Sequence, residues 1–114
     1  MPDDILTAVL CALAGVRTGD RVAEVGAGSR VGLALLAMSR TPELVDGEAS
    51  VVVAAAAYEV PTAVTLLAPG GRLVAVAADA AAARRTAVRA GLELRYVEPV
   101  GAGVAWSAVR PAAP

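Results

Sequence analysis

The 114-residue sequence contains no Phe, one Trp and two Tyr, so little aromatic area is available to anchor an interior. It also lacks His, Lys, Asn and Gln, and all ten of its bases are Arg. The absence of His and Lys removes the two commonest neutral-pH proton acceptors and the usual Schiff-base nucleophile. A single cysteine, Cys11, excludes an internal disulfide and, lying in an apolar helical pattern, reads as a buried spectator. No metal-ligating cluster of His and Cys can be assembled from this composition. No apolar run reaches membrane-spanning length, and Asp3 and Asp4 stand where a secretory leader has its basic residues. A cytoplasmic protein is the expectation.

Eleven acids against ten bases leave a net charge of −1, which argues against a nucleic-acid footprint. The uniform use of Arg fits the compositional bias of a GC-rich coding sequence and is weak grounds for anion recognition. Hydrophobic residues make up 57% of the chain, much of it Ala, so the expected core is a thin one of Val, Leu and Ala methyls.

The pattern alternates strands and helices. Pro2, Asp3 and Asp4 open a helix whose apolar positions are Ile5, Leu6, Val9, Leu10 and Leu13, ended by Gly15. Residues 21–25 read as a strand running into Gly26-Ala27-Gly28, and residues 31–38 as a helix. The polar stretch 39–50, with Pro42 and Gly47, reads as a loop. Residues 51–55 form a continuous apolar run, the mark of a strand covered on both faces. A short helix over 61–67, a Pro69-Gly70-Gly71 turn and a strand over 72–77 follow. Asp79 is placed to cap a helix over 80–90 that Gly91 stops. Strands over 92–99 and 104–110, joined at Gly101 and Gly103, make a closing hairpin, with Trp106 in the core. Alternation implies parallel strands joined by crossover helices, and the final pair implies one antiparallel strand.

Gly26 and Gly28 let the backbone leave the strand sharply and let a ligand approach the main chain. The same two glycines also suit a plain tight turn. Glu24 places a carboxylate just before that elbow. Tyr58 and Glu59 follow the 51–55 strand, at the end of the sheet where open α/β folds bind ligands. Tyr58 also suits a cover for the sheet end, and Glu59 a solvated helix start.

The stretch Arg21-Val22-Ala23-Glu24-Val25-Gly26-Ala27-Gly28 resembles motif I of class I S-adenosylmethionine (SAM) methyltransferases. Asp46-Gly47-Glu48-Ala49-Ser50-Val51-Val52-Val53-Ala54 is similar to that family's approach to its fourth strand. Leu66-Leu67-Ala68-Pro69-Gly70-Gly71-Arg72-Leu73-Val74 is similar to its turn into the fifth. The order of these pieces covers nearly the whole chain. The resemblance implies one shortened Rossmann-like domain, residues 1–114, with about five strands in the order 1-4-5-7-6 of the family's labels and helices on both faces. It implies SAM as cofactor, with Glu24, Gly26, Ala27 and Gly28 around it, and Tyr58 and Glu59 as candidate groups toward a small-molecule methyl acceptor.

The sequence departs from the family in three ways. The third glycine of the elbow is replaced by Arg30. The strand whose terminal acid binds the ribose hydroxyls is missing, and Asp46, with Glu43 and Glu48, offers only a loop substitute. Ser50 stands where the family often has an acid. Two lost hydrogen bonds to a charged group, at about 1.5–3 kcal/mol each, would weaken binding roughly 10²–10⁴-fold. The expected function is therefore a methyltransferase-like protein with a weakened SAM site, active as an oligomer or with a partner, or else a non-catalytic auxiliary subunit. With two strands deleted, residues 21–25 are expected at a bare sheet edge, inviting a homodimer or heteromeric partner there. Nicotinamide or flavin binding is disfavoured, since the glycine fingerprint would need Gly where Val31 stands.

Overall fold

The computed structural model describes residues 12, 13, 15–25, 43–54 and 57–112. The elbow residues Gly26, Ala27 and Gly28, Cys11, Arg30, most of the first helix and the 31–38 helix lie outside these described residues.

Six strands form one mixed sheet: β1 (Arg21–Val25), β2 (Glu43–Leu44), β3 (Ala49–Ala54), β4 (Leu67–Ala77), β5 (Glu93–Val100) and β6 (Gly103–Val109). Their order is β2-β1-β3-β4-β6-β5. The first four are mutually parallel, and β6 runs antiparallel between β4 and β5. The α/β class and the closing hairpin are those expected from the sequence.

β3 explains why the sheet holds. Val51, Val52, Val53 and Ala54 are all fully buried, because β3 is sandwiched between parallel neighbours and covered on both faces. Successive residues feed opposite layers. Ala23, Val52, Ala54, Leu73, Ala75, Trp106 and Ala108 form one core layer, under the helices α1 (Val60–Leu66) and α2 (Ala80–Arg89). Val22, Val51, Val53, Val74 and Ala105 form the other, against Val16 and Leu13. Among the described residues, α1 and α2 cover only the first of these faces.

Helix α2 begins where expected. The Asp79 side chain accepts a hydrogen bond from the Ala82 N–H at 2.8 Å, satisfying one of the helix's free N-terminal donors. Asp79→Ala is expected to lower stability by about 1 kcal/mol, read as a fall in the urea midpoint at unchanged slope.

Two local differences from the sequence reading stand out. The Pro69-Gly70-Gly71 segment is not a turn outside the sheet but part of β4. Ala49 pairs with Leu67 and Val51 with Arg72, so β4 spends five steps where β3 spends two. The excess bulges out and is held by the C-terminal strand: the Gly70 N–H donates to the Arg110 carbonyl and the Arg110 N–H to the Gly71 carbonyl, both at 2.9 Å. The Arg110 guanidinium also donates to the Leu67 carbonyl.

The second difference adds a sixth strand outside the expected 1-4-5-7-6 order, which the sheet keeps as β1-β3-β4-β6-β5, and corrects the bare edge. Residues 43–44 are a strand rather than loop, and they pair outside β1, Arg21 with Glu43 and Val22 with Leu44. The Glu43 N–H donates to the Asp20 carbonyl at 2.8 Å and the Val45 N–H to the Val22 carbonyl at 3.0 Å. β1 is thus an interior strand at its first two residues. Two paired residues are too few for any periodic signal, which is why the pattern there reads as loop.

Candidate functional site

The candidate ligand end of the sheet lies at the carboxyl ends of β1, β3 and β4. Glu24 is the fourth residue of β1 and pairs with Val53 of β3. Strand alternation puts its side chain on the face of Val22, away from α1 and α2. It is half-buried. The carboxylate therefore stands one residue from the end of β1, just before the elbow.

Tyr58 and Glu59 sit in the 3₁₀ turn Ala57–Glu59 that leads from β3 into α1. Tyr58 is 81% exposed, so it is not a cover for the sheet end. It lines a groove of about 380 Å³ between the two helices, with Val60, Pro61 and Val64 of α1, Thr86 and Arg89 of α2, and Ala90 just after it. Glu59 is half-buried at the N-cap of α1, and its side chain makes no capping bond. Tyr58 and Glu24 thus belong to opposite faces of the sheet, and only a ligand lying across its top could touch both. The sequence reading missed the groove. Its signal was an exposed helix carrying Arg84, Arg85 and Arg89 with no acid beyond the capping Asp79.

Asp46 lies in the bend after β2 and is exposed. Chain reach limits where it can go. Leu44 is level with Val22 on one side of β1, and Ala49, two residues before Val51, is level with Asp20 on the other side. Crossing two strand spacings and two residue rises takes about 12 Å, well within the roughly 17 Å span of five residues. Were β2 to continue to Asp46, level with Glu24, only three residues would remain to cover about 16 Å against a reach of roughly 10 Å. The short connection therefore holds β2 to the lower half of β1 and keeps Asp46 from standing level with Glu24.

Ser50 hydrogen-bonds within the sheet, its hydroxyl donating to the Arg21 carbonyl at 3.1 Å. Below it, Arg72 donates to the Gly15 carbonyl at 3.3 Å and lies 3.8 Å from the Asp20 carboxylate. Asp20 in turn accepts from the Arg17 N–H at 2.8 Å. These contacts fix the connector into β1 at the end of the sheet opposite the candidate site. No cluster of three or more potential metal ligands occurs among the described residues. No helix among them is long and apolar enough to cross a membrane.

The sequence matches no family model and no curated protein. Solved structures do match. A chain of the Haloferax volcanii complex between the Trm112 methyltransferase activator and a putative methyltransferase superposes with TM-score 0.71 at 12% identity, over 98% of this chain and 92% of that one. A putative methyltransferase from Bacillus halodurans C-125 gives TM-score 0.67 at 13% identity, over 93% and 99%. The [4+2]-cyclase SpnF gives TM-score 0.66 at 12% identity, over 96% and 81%. At these identities the likeness concerns architecture, and the cyclase demonstrates that one architecture carries more than one chemistry. The chain has the mixed α/β, Rossmann-like fold of methyltransferases.

Proposed function

We propose that the chain is a class I methyltransferase-like protein whose SAM site is weakened, so that turnover requires an oligomer or a partner protein. The observation that supports this most is the two-residue length of β2, which among the described residues leaves no β2 carboxylate beside the end of β1 at Glu24. On this reading Glu24 supplies a carboxylate near the ligand's positive charge, and Gly26, Ala27 and Gly28 supply a backbone cradle. Asp46, exposed in the bend after β2, reaches the sugar only if the bend rearranges or if it serves a site in another copy. SAM brings an already activated methyl group, so the protein's task is chiefly positioning. Tyr58 and Glu59 are the groups proposed to face a small-molecule acceptor, as a hydrogen-bond partner and a proton acceptor.

A second reading, a non-catalytic auxiliary subunit that keeps the fold, is favoured by the placement of Glu24 and Tyr58 toward opposite faces. In either case the attachment surface is proposed to be the sheet edge formed by β2 and the last residues of β1 beyond it. The solved complex of a methyltransferase with an activator supports a heteromeric version of it.

Titration calorimetry of the isolated chain with SAM tests the weakened site. From a micromolar reference, losing roughly 10²–10⁴ in affinity leaves a dissociation constant of about 0.1–10 mM. A constant near one micromolar would sink the proposal. Release of S-adenosylhomocysteine on adding a partner would separate the enzyme from the auxiliary subunit.

A further inference from the structure

We propose that the chain associates head to tail with a second copy of itself, the acidic β2 segment of one copy seating Leu44 in the groove between α1 and α2 of the next. This rests on the reading that the β1–β2 edge is an attachment surface, and it names both the occupant and the receiving site.

The receiving side is apolar within and cationic at its rim. Val60, Pro61 and Val64 line it, and Tyr58, 81% exposed, extends apolar surface beside it. A volume of about 380 Å³ exceeds the roughly 150 Å³ that holds a benzene-sized group, so a leucine side chain fits with room for its neighbours. Arg89 of α2 lines the groove, and Arg85, one turn back along the helix, is exposed beside it. Among the described residues the ion pairs are Arg72–Asp20 and Arg95–Glu93, so Arg85 and Arg89 are in neither. The one acid on the helix, Asp79, is held by its capping bond.

The same chain carries the complement. Leu44 is 52% exposed in a strand at the edge of the sheet. Glu43, Asp46 and Glu48 surround it within six residues, all exposed and none in an ion pair among the described residues. An exposed acidic segment carrying Leu44 thus complements an apolar groove bordered by Arg89, with Arg85 one turn back along α2. Leu44 is level with Val22 and shares its sheet face, away from α1 and α2, so it does not fill the groove of its own copy. Because the two surfaces differ, the interface is heterologous and generates chains or a ring rather than a closed twofold pair.

Exposed ion pairs contribute little each and are screened by salt, so the association is weak and strongly salt-dependent. Sedimentation velocity of the full chain is expected to give an average mass that rises with concentration at low salt and falls to the monomer at about 0.5 M salt. Leu44→Arg and the double variant Arg85→Glu/Arg89→Glu, all at exposed positions, are each expected to be monomeric with unchanged circular dichroism. Mixed one to one, they are expected to form a discrete dimer, since the first keeps the groove and the second keeps the acidic segment. If Leu44→Arg abolishes association and the arginine variant does not, the groove is wrong while the edge reading stands. If the wild-type chain is a monomer at low salt up to several hundred micromolar, both fail.

Discussion

Trp106→Ala is expected to lower the thermal midpoint by more than about 10 °C, or to leave the chain unfolded at room temperature. Trp106 is the largest fully buried side chain and sits in the layer under α2, with Ala75 and Val97 as its strand partners. Its surroundings are mostly Ala and Val, such as Ala83, Ala87 and Ala108, which are too short to collapse into the space it would leave. Truncating a buried Trp costs about 3–5 kcal/mol, against a total stability of about 5–15 kcal/mol for a domain. Each kilocalorie moves the midpoint of a domain this small by about 4 °C or more. Trp106→Phe separates volume from polarity. The indole Nε1–H is buried without a hydrogen-bond partner, a condition that costs about 1–3 kcal/mol. Phe removes that donor while keeping most of the ring, so its net loss is expected to stay under about 2 kcal/mol. A Phe variant as damaged as the Ala variant would mean that the indole donates to something.

Gly71→Ala is expected to cost about 1–3 kcal/mol, the range of overpacking, although it adds a single methyl group. A Cβ at position 71 would lie 2.8 Å from the Ala68 carbonyl oxygen and 3.0 Å from that of Ser50. Both obstacles are backbone and belong to adjacent paired strands, so neither can swing aside. Gly70 needs glycine for a different reason: its φ is +77°, while the space around it is open. Gly47 has open space and no positive φ, so Gly47→Ala is the control and is expected within about 0.5 kcal/mol of wild type. Urea midpoints of the pair decide it: equal midpoints would show that the bulge at Pro69-Gly70-Gly71 does not bring β3 and β4 as close as described.

These two positions also mark what could be read in advance. Trp106 was expected in the core on its pattern alone. The Gly-Gly pair was recognisable as a special backbone, but its place inside β4 depends on Arg110, some 40 residues away, closing the bulge through paired backbone bonds. The apolar run of β3, the Asp79 cap and the terminal hairpin were legible because each is encoded by neighbours within a few residues. β2 was not, since its pairing comes entirely from β1, twenty positions earlier.

The candidate site divides the same way. Sequence alone determined the strand carrying Glu24, its glycine pair and the shortage of chain between residues 39 and 51, because these are properties of local order and length. Tertiary structure decided which face Glu24 takes relative to Tyr58, how far β2 climbs beside β1, and that Tyr58 and Arg89 line one groove. Those depend on register and on the reach of a four-residue crossover, quantities that exist only once strands are paired.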